Sequence, residues 1–172
     1  MVLGMSLEAF TLLHVVISLV GIATGFVVLF GLLNGKGFEW WTAIFFGSTV
    51  LTSATGYLFP VHKLLPSHIV GAISLVLLAI AIAARYRFAL SAAWRSIYVV
   101  TTMMAFYFNV FVLVVQSFQK VPALKAMAPT GTEGPFKITQ LTVLIIFAGL
   151  TIAAVKKFKP MPNAKIAAAG ER

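Results

Sequence analysis

Five stretches of this chain, 8–33, 40–59, 66–85, 93–119 and 136–156, are apolar over a length near or above that of a membrane-crossing helix. A hydrocarbon layer about 30 Å thick takes roughly 20 helical residues. Inside it every backbone polar group must be satisfied within the segment, which a helix does by itself. The sequence therefore predicts an all-α integral membrane protein, with five transmembrane helices in a bundle over 1–157 and a basic tail, 158–172. Composition agrees, since 60% of residues are apolar, 10% are charged and the mean hydropathy is +1.02, outside the range of a soluble domain.

The breaks between the runs are chemically distinct. Asn34-Gly35-Lys36-Gly37 separates the first two, and the segment from Pro60 to Pro66 separates the second and third. Arg85, Arg87, Trp94 and Arg95 mark the third break, and a longer Pro/Gly segment, 120–135, precedes the fifth run. Within that segment "KVPALKAM" reads as a short interfacial helix, with Leu124 and Met127 toward lipid and Lys120 and Lys125 wet. The first run lacks the basic start and short apolar stretch of a cleaved signal peptide, so it is expected to stay in the mature protein.

Charge gives a direction. Lys36, Arg85, Arg87, Arg95, Lys156, Lys157, Lys159, Lys165 and Arg172 fall on one side of a five-span chain, against Lys63, Lys120, Lys125 and Lys137 on the other. The positive-inside rule then places the N-terminus outside and the C-terminus in the cytoplasm. Trp40, Trp41 and Trp94 gather at the inner interface, where indoles are favoured. The net charge of +9 does not point to nucleic acid, because the basic residues sit at the ends of apolar runs. With no cysteine, disulfides, thiolate metal sites and covalent c-type haem attachment are excluded.

Polar residues inside a span need a partner or a function. His14, Ser18, Gly21 and Gly25 share one face of the first helix, where the two glycines are spaced to let another backbone approach. The second helix carries Ser48, Thr49, Thr52, Ser53 and Thr55 in its outer half. The fourth has Thr102, Asn109 and Gln116 at seven-residue intervals, beside a packing or lipid-facing stripe of Met104, Phe108, Phe111 and Val115. His14, His62 and His68 all fall at the outer side by topology. A polar pocket lined by Ser18, Thr52, Thr55, Asn109 and Gln116 is expected there if the first four helices surround it.

Imidazole is a frequent metal ligand and the usual axial ligand of a b-type haem. One such haem fits the histidine count, with His14 and His68 as axial ligands and Gly71, one turn below His68, leaving room for a flat ring. His62 and Lys63 would face its propionates. A zinc or copper ion on His14, His62 and His68, with Glu8 or Glu133 adding oxygen, is the other version. The plain alternative binds no cofactor: "FPVHKLLPSHIVG" (59–71) is then a stiff hairpin, with Pro66 in the first turn of its helix.

The segments "LVGIATGFVVLFGLL" (19–33) and "FNVFVLVVQSFQKVPALKAMAPT" (108–130) carry a likeness that covers 10–157. In them the chain resembles a group of small five-helix proteobacterial inner-membrane proteins to which no activity is attached. The resemblance implies a bacterial inner membrane and brings no site residues. Three functions stay open: a haem- or metal-binding protein in a redox or respiratory setting, an accessory subunit of a larger membrane complex or a homo-oligomer, and a small-molecule binding or transport protein. No nucleophile and base arrangement is readable, so catalysis is the least expected. The lipid bilayer is the one partner that composition requires.

Overall fold

A computed structural model describes residues 2–60 and 66–159, and every long element in it is a helix. The order is α1 Leu7–Leu33, α2 Glu39–Gly56, α3 Pro66–Ile82 continued by a π-helical turn Ala83–Arg87, α4 Trp94–Lys120, a short α5 Pro122–Met127, and α6 Gly134–Lys157. The helix expected in "KVPALKAM" is α5, and the other five match the five apolar runs within a few residues. His62 and most of the tail, from residue 160 on, lie outside the described residues.

Local chemistry sets the ends. The Ser6 side chain accepts the Ala9 N–H at 3.2 Å and starts α1. At its other end Gly35 takes φ +69°, Lys36 N–H donates to Gly31 O at 2.8 Å, and Gly35 N–H donates to Leu32 O at 3.3 Å. This pair of bonds is a Schellman stop, which needs a residue tolerant of left-handed backbone after the cap. Pro122, having no N–H, marks the turn from α4 into α5. Between α3 and α4, Ala89, Leu90 and Ala92 all have positive φ, a tight reversal fastened by the Phe88 and Trp94 rings stacked 3.8 Å apart.

Four helical stretches are long and apolar enough to cross a membrane: α1, α3 with its π-helical turn, α4 and α6. The protein is a multi-pass helical membrane bundle. α2 stands apart because its 18 residues span only about 27 Å and its hydroxyls dilute the apolar content.

α1 packs on α2, α2 on α3, α3 on α4 and α4 back on α1, so these four helices close a ring. α6 lies outside it, against α4 and α1. Its Ile138, Ile145 and Ile152 are each more than half exposed and, at seven-residue spacing, form a face suited to lipid. Along the ring the interior divides in two. Toward the α1 C-terminus it is dry and aromatic, with Phe45, Phe46, Tyr98, Phe106, Phe147 and Phe158 buried in one cluster. Toward the α1 N-terminus the interior is polar and open.

The tight positions are not the backbone approach that the Gly21 and Gly25 spacing suggests. A Cβ at Gly21 would meet Ser48 Oγ at 3.2 Å and Thr49 Oγ1 at 3.3 Å, and one at Gly25 would lie 2.5 Å from the Phe106 ring. The two glycines therefore admit side chains from two different helices, the hydroxyls of α2 and one aromatic of α4.

At the dry end, Arg85 is buried, donates to the Tyr98 hydroxyl at 3.3 Å and lies 3.8 Å from the exposed carboxylate of Glu39. Arg95 donates to the carbonyls of Val155 and Phe158, acceptors that the end of α6 leaves without helical partners.

Candidate functional site

A cavity of about 640 Å³ opens at the polar end of the ring. Each ring helix contributes one stripe. Thr11, His14, Ser18 and Ile22 come from α1, and Thr52, Gly56 and the adjoining Tyr57 from α2. Ser67, His68, Gly71 and Ser74 come from α3, and Asn109, Val112, Gln116 and Lys120 from α4. The three- and four-residue intervals along α1 and α4 are those of a single helical face. The lining reaches no further than Ile22 on α1, Ser74 on α3 and Phe108 on α4. One turn beyond, Phe106 fills the notch at Gly25 and touches Phe26, Phe45 and Phe147. The shape is a blind pocket with an aromatic plug beneath it.

Of the residues expected to line a pocket, Ser18, Thr52, Asn109 and Gln116 line this cavity, together with His14 and His68. Thr55 holds a different place. It stands behind the wall, where its hydroxyl oxygen is 2.8 Å from His14 Nδ1. The same hydroxyl donates its one proton to Leu51 O at 2.6 Å, so toward the imidazole it acts as acceptor. With the hydroxyl proton on Leu51 O, a neutral His14 ring would carry its hydrogen on Nδ1 and leave a lone pair on Nε2. Phe59, edge-on to that ring at 5.2 Å, braces it from the side.

Two further polar ties cross the ring. Ser18 Oγ donates to His14 O at 2.8 Å and lies 3.4 Å from Thr52 Oγ1. Asn109 Nδ2 donates to Thr49 Oγ1 at 3.0 Å near Gly21, forming the polar floor above the plug. The seam expected on α4 divides into three roles. Thr102 is buried in the dry half with its hydroxyl unpaired among the described residues, Asn109 ties α4 to α2, and Gln116 faces the cavity. Phe108, expected on a packing or lipid-facing stripe, is a cavity wall, whereas Met104 is 41% exposed.

His68 is 8% exposed on the opposite wall and lies against the Tyr57 ring at 5.3 Å. Tyr57 donates its hydroxyl proton to His68 O at 2.5 Å. Gly71 lines the cavity, and part of the room expected there is taken by this same ring, since a Cβ would lie 3.4 Å from Tyr57 Cε2. A flat macrocycle over Gly71 thus competes with Tyr57. Among the described residues no group of three or more His, Cys, Asp or Glu side chains comes together as a metal cage. Neither Glu8 nor Glu133 lines the cavity, and Glu133 spends both oxygens on Thr130 and Thr132. His62, the third proposed ligand, lies outside the described residues.

Sequence reasoning passed over Tyr57 and Lys120. Lys120 was within reach, because 109, 113, 116 and 120 follow one face of α4. Tyr57 left no signal, since its role depends on the glycine it covers across a helix pair.

No family model matches the chain, and no curated protein or solved structure matches it.

Proposed function

We propose that this protein holds a small, mainly apolar molecule in the blind pocket between α1, α2, α3 and α4. The observation that carries the reading is the pocket itself. Its volume of about 640 Å³ lies in the range of ligand sites, and apolar walls surround a few placed polar groups. His14 supplies a fixed acceptor at Nε2, matched to an O–H or N–H on the ligand. The plug at Phe106 favours binding over passage through the bundle.

The setting proposed is a bacterial inner membrane with α2 as a fifth span, the N-terminus outside and the pocket opening outward. The surplus of Lys and Arg at the opposite end of the bundle supports that orientation.

Organic extracts of protein purified in mild detergent test the reading by mass spectrometry. Gln116→Trp, which projects a large ring into the cavity, should lose a molecule that the unmodified protein retains. Equal recovery of every extracted molecule from both proteins would sink the proposal.

A second reading has one observation in its favour: His14 and His68 line the same cavity. One b-type haem, or a zinc or copper ion, would be held by these two imidazoles with help from His62, and would supply electron-transfer or Lewis-acid chemistry. Absorption spectra of oxidised and reduced protein, with elemental analysis, decide it. Haem bands or bound metal lost in both His14→Ala and His68→Ala support this reading, and a colourless, metal-free preparation removes it.

A further inference from the structure

The cavity wall is charged on one sign only. Lys120, the last residue of α4, lines it, and no Asp or Glu does among the described residues. Nor does Lys120 form an ion pair among the described residues. It shares the cavity lining with His14, two turns in from the start of α1. Further in, the apolar walls Leu19, Ile22, Phe108 and Val112 stand beside Ser18, Thr52 and Ser74, above the Asn109 floor and the aromatic plug. From mouth to floor the pocket therefore runs from an ammonium, past the imidazole, to mainly apolar walls with a few hydroxyls and the Asn109 amide at their base.

We propose that the occupant is a single-chain amphiphile with a weakly acidic oxygen head, a carboxylic acid or a phosphate monoester, seated between Lys120 and His14 Nε2. The inference rests on the pocket being a ligand site and names what it takes. A phosphate monoester monoanion keeps an O–H that donates to Nε2 while its other oxygens accept from the ammonium; a carboxylic acid, ionised beside Lys120, accepts from the ammonium and from Nε2 once its proton has passed to the imidazole. An alcohol head satisfies the imidazole but leaves the cation unanswered, and a quaternary ammonium head meets a like charge. The acyl or alkyl chain lies along α1 and α4, where it replaces lipid contacts with equally apolar walls.

The test uses the full chain in phosphatidylcholine nanodiscs and a diazirine-bearing palmitic acid as photoprobe, with cross-linked peptides mapped by mass spectrometry. Palmitic acid, hexadecyl phosphate, hexadecanol and hexadecyltrimethylammonium are the competitors. Labelling should map to the cavity stripes of α1 and α4, and the acids should compete up to about fivefold better than hexadecanol. The stronger of the two acids identifies the head. Hexadecyltrimethylammonium should not compete, and Lys120→Gln, at an exposed position, should reduce the acids to the level of the alcohol. Cavity labelling with hexadecanol equal to the acids, or an acid preference that survives Lys120→Gln, overturns the acidic head and leaves the pocket a ligand site. Labelling confined to lipid-facing positions such as Ile138 and Ile145 overturns the ligand site for such amphiphiles, and this inference with it.

Discussion

His14 Nδ1 and Thr55 Oγ1 lie 2.8 Å apart across α1 and α2, and the Thr55 proton is already committed to Leu51 O at 2.6 Å. The direction of the contact follows from counting protons, since a hydroxyl has only one to give. A residue outside the cavity lining thereby bears on which imidazole nitrogen of a cavity-lining histidine carries the hydrogen.

In ¹⁵N NMR spectra of labelled histidine, neutral His14 should show a protonated Nδ1 and a bare Nε2. Thr55→Val removes the acceptor, so the tautomer preference should relax and the fold should lose about 0.5–1.5 kcal/mol. A protonated Nε2 in the unmodified protein would show that the hydroxyl proton points the other way.

The notch at Gly25 makes a packing prediction with a built-in control. The Phe106 ring inside it is held by Phe26, Phe45 and Phe147 at 4.9, 6.0 and 5.1 Å, so it has little room to retreat from a new methyl group. Gly25→Ala should cost about 1–3 kcal/mol, as overpacking does in tight cores. At Gly47 a Cβ meets nothing within 4 Å, and Gly47→Ala should be neutral or gain up to ~1 kcal/mol from helix propensity. Unfolding of both variants in detergent separates the cases. Equal effects would mean that the notch is not tight.

What could be read beforehand divides along physical lines. The helices follow from apolar runs, because hydrocarbon imposes length and internal hydrogen bonding on each segment independently. The shared end of His14, Thr52 and Gln116 follows from antiparallel connection alone. The insertion of Tyr57 over Gly71 and of Phe106 into Gly25 depends on how two helices rotate against each other. No periodicity within either helix encodes that rotation. For the same reason the space expected beside His68 belongs to a tyrosine eleven residues earlier in the chain.

The loop before α6 carries a pH prediction. The Thr130 hydroxyl, with the backbone N–H groups of Thr130 and Thr132, donates to the Glu133 carboxylate and holds it down from its ordinary 4.5 to about 2. A carboxylate depressed in the folded state contributes stability above its unfolded pKa. That contribution is lost as pH falls from 4.5 through about 2. Carboxyl ¹³C titration should therefore place the Glu133 midpoint well below that of a free glutamate, and Thr130→Val should move it upward. A midpoint near 4.5 in the unmodified protein would mean that the loop bonds do not form in solution.

At the opposite end, Arg95 anchors the last helix. Its guanidinium donates to Val155 O at 3.1 Å and also to Phe158 O, while the Phe158 ring is buried against Tyr98 at 5.7 Å. The final carbonyls of α6 have no helical donors, so one guanidinium nitrogen, Nη1, answers two of them with its two hydrogens, and the cation favours the negative end of the helix dipole. Lysine offers the charge on a shorter stem that places its donors differently, and glutamine lacks the charge. Arg95→Lys should keep part of the stabilisation, and Arg95→Gln should lose about 1.5–3 kcal/mol with early fraying of α6. Amide hydrogen exchange over residues 150–158 reads the effect directly. Exchange unchanged in Arg95→Gln would show that burial of Phe158 alone holds that end of the helix.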